Sequence, residues 1–440
     1  MGSPLKVGVA GLGTVGASLL RLLDRQREAL TARCGRAIEV VAVTARQKGK
    51  DRGVDLGRTR WVESPLALAQ DPEIEVFVEL MGGAGDPAKA AVEAALAAGK
   101  SVVTANKALL AAHGVALAER AERHGGALSF EAAVAGGIPV VKALREGLVG
   151  NRFSRVFGIL NGTCNYILTR MEQEGLSFAD CLKDAQRLGY AEADPAFDIE
   201  GHDTAQKLAI LASLAFGVTP DQDAVSVEGI DTIAPEDLRA ADELGYRVKL
   251  LGVAVRTANG IEQRVHPTMV PKASAIAQVM GVTNAVAIDG DAVQEVTLVG
   301  PGAGGFATAS AVVSDLADLA RGAVPVPFGL PVKNLAPCEK LPMQRHEGGY
   351  YIRLLAVDRP GTAAAIAQHL ADANISLESI VQRRPGPAHG GDDPTTAGGP
   401  VPVILITYAT TEDAVRRALA AVEAAGVIAA KPQLIRIEKA

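Results

Sequence analysis

Between Ala185 and Lys207 the chain reads AQRLGYAEADPAFDIEGHDTAQK, setting five carboxylates, Glu192, Asp194, Asp198, Glu200 and Asp203, ahead of one lysine, Lys207. The residues that follow, LAILASLAFG, are apolar enough to demand burial. Asp203 and Lys207 stand four apart, so on a helix they share one face. A carboxylate and an ammonium at the mouth of a buried helix suit proton transfer and the recognition of an amino acid. The bland alternative is a surface ion pair that adds only a few tenths of a kcal/mol to the helix. The loop signals Gly189-Tyr190 and Asp194-Pro195 put the acids on a loop leading into that helix. Loops set on rigid elements are where sites concentrate.

A second set of residues suits phosphate. The apolar strand pattern LKVGVA, residues 5–10, runs into Gly11-Leu12-Gly13-Thr14-Val15-Gly16 and then the helical pattern ASLLRLLDRQREAL. In that context Gly11 serves the tight turn, Gly13 lets backbone approach a pyrophosphate, and Gly16 lets helix and strand pack closely. The free N–H groups at the helix start then face the phosphates. The strand predicted over 38–43 ends in Thr44-Ala45-Arg46-Gln47-Lys48, with no acid for a ribose 2′-OH. Arg46 and Lys48 suit a 2′-phosphate instead, so NADP is expected to be preferred, or accepted alongside NAD. Arg46 as a plain solvated loop residue is the competing reading. Strands predicted over 76–80 and 101–104 are each followed by a helix. Alternating strands and helices make a parallel, doubly wound sheet, with ligands beyond the strands' C-terminal ends. Gly83 and Lys107 stand at such ends, Lys107 as a cofactor or substrate contact or else as a snorkelling cap lysine.

Glu131, in the apolar run EAAVAGGIP, needs a partner if buried. A hard cation with backbone carbonyls would satisfy it, as would nearby backbone N–H groups. Asn161-Gly162-Thr163 before a helix is an N-cap pattern that also offers N–H and hydroxyl groups to a small ligand. VKLLGVAV, IEQRVHPTMV, AVAIDG and EVTLVG read as strands of a second, open sheet covering a substrate site. Gly300-Pro301-Gly302-Ala303-Gly304-Gly305 then opens a helix expected to pack back on the first domain. The boundaries expected are 1–145 for dinucleotide binding, with a return segment at about 305–330, and 146–304 for substrate binding, catalysis and dimerisation. A Pro/Gly-rich linker, 331–349, leads to a strand and helix order βαββαβ over 350–440, a ferredoxin-like module with a polar loop at 384–400.

The 440 residues carry a net charge of −6, are 48% apolar, and have no Lys/Arg-rich block, so nucleic acid is not an expected partner. No apolar run reaches membrane-spanning length unbroken. MGSPLKVGVAGLG goes directly into a strand pattern, with no signal peptide expected. Cys34, Cys164, Cys181 and Cys338 lack metal-type spacing and read as reduced thiols of a cytoplasmic protein.

The ordered motifs, Gly11/Gly13/Gly16, Thr104-Ala105-Asn106-Lys107, Asn161-Gly162-Thr163, the A-x3-G-Y-A-x2-D-P-x2-D-I-x-G-x-D-x3-K string from Ala185 to Lys207 and Gly300-Pro301-Gly302-Ala303-Gly304, together resemble the monofunctional homoserine dehydrogenase family. The resemblance implies reversible NAD(P)-dependent interconversion of L-homoserine and L-aspartate 4-semialdehyde, on the route to threonine, methionine and isoleucine. It also implies roles. Lys207 is the proton donor, Asp203 holds the substrate hydroxyl end beside it, and Lys107 shares in charge stabilisation near the nicotinamide. Glu192 and Thr163 hold the amino group, Gly189 and Gly302 touch the cofactor, and Glu131 with the carbonyls of Val134, Gly136 and Ile138 holds a monovalent cation, usually sodium. The C-terminal module resembles an ACT domain, with the Asp358-Arg359-Pro360-Gly361 turn as effector loop and threonine as the obvious ligand. A purely structural dimerisation module is the alternative there, and a homodimer is expected. A non-catalytic amino-acid sensor would not need the Lys207, Asp203 and Glu192 set, and another NADP-dependent amino-acid oxidoreductase would need different substrate groups.

Overall fold

The computed structural model describes residues 2–341, 347–382 and 400–438. The polar 384–400 loop, apart from Pro400, lies outside them. The first sheet has six strands: β1 Leu5–Ala10, β2 Ile38–Thr44, β3 Arg60–Trp61, β4 Val76–Glu79, β5 Ser101–Thr104 and β6 Leu128–Ser129. They run parallel in the order β3-β2-β1-β4-β5-β6. The order reverses beside β1, where the Gly11–Gly16 turn leads into the Thr14–Arg25 helix. β4 is buried at every position, as a strand covered by helices on both faces requires. The Gly305–Ala320 helix lies against the Thr14–Arg25 helix, with the Arg25 guanidinium 5.3 Å from the centre of the Phe306 ring.

The second sheet has eleven strands and spans the rest of the chain. Its central part contains β7 Phe153–Ile159, β8 Ser226–Val227, β9 Tyr246–Thr257, β10 Gly260–Pro271, β11 Thr283–Gly290 and β12 Gln294–Pro301. Its C-terminal part contains β13 Glu347–Ala356, β14 Leu377–Gln382, β15 Val401–Thr407, β16 Thr410–Thr411 and β17 Gln433–Ile437. With the helices Thr362–Asp372 and Glu412–Ala424 this is the βαββαβ order, and its strands lie β17-β13-β15-β14. The module's sheet does not stand apart. β17 pairs in parallel with β10, Thr268 opposite Arg436 and Met269 opposite Ile437, so both parts share one hydrogen-bonded surface.

Buried ion pairs reinforce that junction. Asp237 is fully buried on the Pro235–Glu243 helix. It accepts from the Tyr351 hydroxyl at 3.0 Å and from the Arg353 guanidinium at 2.6 and 3.0 Å. Arg436, also buried, binds Glu228 and Glu412. The segment read as a linker is packed down before it reaches β13. Just ahead of it Phe328 is fully buried against Phe130; within it the Val332 N–H donates to Glu122, Thr219 and Ala336 share a backbone hydrogen bond, and residues 347–349 already belong to β13. Its prolines stop helix and strand but leave apolar side chains free to bury.

Removing one partner of a buried pair strands the other charge. Arg353→Ala should lower unfolding stability by about 3 kcal/mol, read by urea denaturation. An unchanged midpoint would show that Asp237 is satisfied by Tyr351 and its own helix start.

Candidate active site

Asp203 and Lys207 face the same way from the first two turns of the His202–Phe216 helix, and Lys207 Nζ lies 2.7 Å from Asp203 Oδ2. A second lysine completes the group. Lys107 Nζ lies 3.2 Å from the other oxygen, Oδ1. Asp203, 5% exposed, thus sits between two ammonium groups. Two residues of the loop before the Gly162–Glu174 helix fix it. The Leu160 carbonyl accepts from Lys207 at 2.7 Å, and Asn161 Nδ2 donates to Asp203 at 2.9 Å and to Asp198 at 2.8 Å. Asn161 meanwhile caps its helix through Oδ1, which accepts from Cys164 N. Burial alone would raise the Asp203 carboxyl. The Lys207 and Lys107 charges, with hydrogen bonds from Lys207 and Asn161, outweigh burial and hold it down at about 2. Asp198 is moved the other way, by its own burial and by the Asp203 charge.

Lys107 comes from the other domain. It is the first residue of the Lys107–His124 helix, just beyond β5. Fully buried Glu79, at the end of β4, accepts from the Thr104 hydroxyl and from the Met81 and Gly82 N–H groups. Asn106 caps the helix and donates to the Gly83 carbonyl. The fixing roles of Glu79, Asn106 and the Leu160 carbonyl are not visible in the sequence. A buried acid ending a parallel strand was the one available signal for Glu79.

The other acids lie outside this cluster. Glu192 and Asp194 are exposed, and Glu192's carbonyl is held by the Gln186 side chain. A short helix, Ala196–Ile199, interrupts what the sequence reads as continuous loop. Thr163 donates its hydroxyl to the Tyr190 carbonyl at 2.6 Å, tying the helix start to the acidic loop. Tyr190 stacks edge-on to Tyr166, with ring centres 5.0 Å apart. Gly189, in the same turn, is exposed at φ 76°.

The glycine turn fits a dinucleotide. A Cβ at Gly11 would run into the Leu80 carbonyl and one at Gly16 into the Gly11 carbonyl, whereas Gly13 faces open space. The Thr14–Arg25 helix has no side-chain cap at its start, leaving its first N–H groups free for phosphate. Leu12 is buried, while Thr14 is exposed and Val15 half-buried. Arg46 is exposed just past the end of β2, and Gly83 past the end of β4. Arg52, which the motifs do not single out, donates to the Leu12 carbonyl and lies 5.7 Å from the Trp61 ring centre, bracing the loop that carries Arg46. Gly302, at the far side, is buried tightly against Asn284.

Glu131 is 1% exposed, and its two oxygens accept from the Val141 and Lys142 N–H groups at 2.9 and 2.8 Å. The simpler of the two sequence readings accounts for its burial. Desolvation and the nearby Asp315 charge still push its carboxyl up to about 7. Ala135, at φ 54°, turns the following loop sharply. No donor reaches the Val134 and Gly136 carbonyls among the described residues, while Ile138 accepts from Val140. A cation here would share Glu131 with the two N–H groups.

A family model described as homoserine dehydrogenase matches residues 139–317, and its NAD-binding domain model matches 11–131. The ACT domain model matches 350–424. The homoserine dehydrogenase of Pseudomonas aeruginosa is 44% identical over 442 aligned positions, covering 99% of each chain. This chain belongs to the homoserine dehydrogenase family. The enzyme of Helicobacter pylori is 39% identical, with 99% of both chains covered. Among solved structures, a homoserine dehydrogenase from Thiobacillus denitrificans is 46% identical, with a TM-score of 0.92 over 100% of this chain and 99% of that one. A hyperthermophilic archaeal homoserine dehydrogenase in complex with NADPH is 26% identical, with a TM-score of 0.62 over 73% of this chain and 99% of that one. As a homoserine dehydrogenase, the chain is an NAD(P)-dependent oxidoreductase of amino-acid biosynthesis with an attached ACT domain. Among the described residues no helix is long and apolar enough to cross a membrane.

The Asp203 carboxyl sits below its ordinary value, so the stability it adds is present above about pH 4 and is lost as the pH falls toward 2. Asp203→Asn should therefore cost about 3 kcal/mol at pH 7. Urea unfolding from pH 7 down to 3 should show that gap constant to about pH 4 and narrowing below it. A gap that widened on acidification would contradict the ion-pair account.

Proposed function

We propose that this homoserine dehydrogenase carries out its proton transfer at Lys207 Nζ, with Asp203 orienting that ammonium and Lys107 adding positive charge beside it. The observation that carries the reading is the Lys107–Asp203–Lys207 cluster, formed between the two domains and held by Leu160 and Asn161. A nicotinamide cofactor held at the Gly11–Gly16 turn would supply or take up the hydride exchanged with the aldehyde carbon of L-aspartate 4-semialdehyde. Lys207 supplies the proton to the oxygen as negative charge develops there, and takes it back when L-homoserine is oxidised. Asp203 holds the hydroxyl end. Glu192, exposed on its loop, and Thr163 bind the amino group.

Residues Gly11 to Gly16, Gly83, Gly189 and Gly302 line the cofactor. Arg46 meets a 2′-phosphate, which favours NADP, and the archaeal relative with NADPH supports that choice. Glu131 with the Val134, Gly136 and Ile138 carbonyls holds a monovalent cation, sodium by family resemblance. The chain works in the cytoplasm as a homodimer. Threonine binds at the Asp358–Gly361 turn, where Gly361, at φ 91°, opens the Thr362–Asp372 helix.

The test is nicotinamide absorbance with L-homoserine, NADP and NAD run in parallel. Wild type should turn over faster with NADP, a preference that Arg46→Asp removes. Lys207→Ala should lower kcat by about 10³-fold, in the range of lost acid–base catalysis, with NADPH still bound. Near-normal turnover in that variant would remove Lys207 from the chemistry. Millimolar L-threonine should inhibit the wild type but not Asp358→Ala, and equal inhibition of both would place the effector elsewhere.

A further inference from the structure

Lys249 lies in the middle of β9 and is 1% exposed, yet among the described residues no carboxylate stands within ion-pair distance of it, and Glu172 acts on its charge only from farther off. Burying an ammonium without a direct ion-pair partner is costly. All its polar contacts converge on one neighbourhood. Nζ donates to Asn165 Oδ1 at 3.0 Å and to the Val279 carbonyl at 2.6 Å, and touches Met280 Sδ at 3.4 Å. Asn165, also 1% exposed, donates from Nδ2 to the Val279 and Thr283 carbonyls at 3.2 and 3.1 Å. The Thr169 hydroxyl accepts from Gly281 N at 3.1 Å. Residues 279–283 are thus bolted to the Gly162–Glu174 helix by polar bonds, while Ile276, Ala277 and Val279 pack into the apolar cluster beneath.

Lys249 holds the start of this segment, and its C-terminal end, Val282 to Asn284, touches both halves of the active site. The Val282 carbonyl lies so close to Gly162 that a Cβ there would come within 2.7 Å. Gly162 directly follows Leu160 and Asn161, the residues that hold Lys207 and Asp203. Two residues on, Asn284 begins the body of β11 and fills the space beside Gly302, in the loop proposed to face the nicotinamide. Asn284 is 1% exposed and, among the described residues, neither of its amide atoms has a hydrogen-bond partner, so its place is set by the strand it sits on.

We infer that Lys249 is a positioning residue for hydride transfer: by fixing residues 279–284 as a strut, it sets the spacing between the Leu160–Gly162 loop, which carries the acid–lysine group, and the Gly302 loop, which carries the cofactor. This rests on the proposed catalytic role of Lys207. A free-energy cost of burying an ammonium that touches no substrate is explained if the strut must be stiffer than apolar packing makes it. Displacements of about 1 Å between reacting groups are enough to lower rates 10²-fold.

The experiment compares wild type with Lys249→Met, which keeps the side chain's length and apolar body, using L-homoserine with and without deuterium at C4. The expected result is a 10- to 100-fold fall in kcat, of the order a small misplacement causes, with NADPH affinity within threefold of wild type. The primary isotope effect on kcat should rise as the hydride step becomes limiting. A merely structural lysine would lower the melting temperature and leave the isotope effect alone, and a folded variant with wild-type kcat and isotope effect overturns the inference. If Lys249→Met does not fold, Thr169→Val removes one bolt of the same strut, and it should move kcat and isotope effect in the same direction to a smaller degree; no movement there also overturns it. Lys207→Ala serves as the control. If that variant stays active, the assignment of the catalytic group has failed; if it is inactive while the strut variants behave as wild type, only the present inference has.

Discussion

The Asp203 carboxylate between two ammonium groups is the interaction on which the rest of this structure depends. A carboxylate so deeply buried is unstable alone, and each lysine near it would repel the other without it. The buried carboxylate depends on its two cations. Their arrangement requires the first domain to deliver Lys107 on a helix start beyond β5, and the second to deliver Asp203 and Lys207 on consecutive turns of one helix. The cleft between domains is therefore fixed by electrostatics at its centre, and the surrounding elements serve that geometry. Glu79 and Asn106 lock the Lys107 side, and Leu160 and Asn161 lock the other.

Much of this was legible in the residues because the signals were local. The four-residue spacing of Asp203 and Lys207 places them on one helical face whatever surrounds the helix. The Gly11–Gly16 turn announces itself because no other residue type fits where a Cβ would meet a backbone carbonyl. Asn161 was readable as a cap for the same reason. What was not legible came from distant pairing. Lys107 could be placed at a strand's end but not against Asp203, since that contact closes only when two domains meet. Lys249 looks in the sequence like one polar position in an apolar strand, and nothing local says that it points into the interior. The junction of β10 with β17 was hidden likewise, because an edge strand carries no mark of the partner it will accept.

Glu131 shows the opposite case, in which the sequence framed a choice between a cation and backbone N–H groups, and the fold supplies the N–H groups. The carboxylate satisfies its oxygens on two N–H groups of the next helical turn, yet burial and Asp315 leave it poised near neutrality. The Val134 and Gly136 carbonyls beside it remain open to a cation among the described residues. An ion bound there would add to an already connected carboxylate.

The continuity of the second sheet bears on how the C-terminal module relates to the enzyme. β10 is lined along its outer side by β8 at Arg264 and Val265 and by β17 at Thr268 and Met269. The module is thus part of the wall. Cutting the chain ahead of β13 would turn an interior strand into an edge, with unpaired N–H and C=O groups open to other chains. It would also leave Asp237 without its guanidinium. For the module to swing clear, the β10–β17 pairing and the Arg353–Asp237 pair would both have to break. A change of twist in the module's sheet would therefore pass directly to the catalytic half, through the β10–β17 pairing.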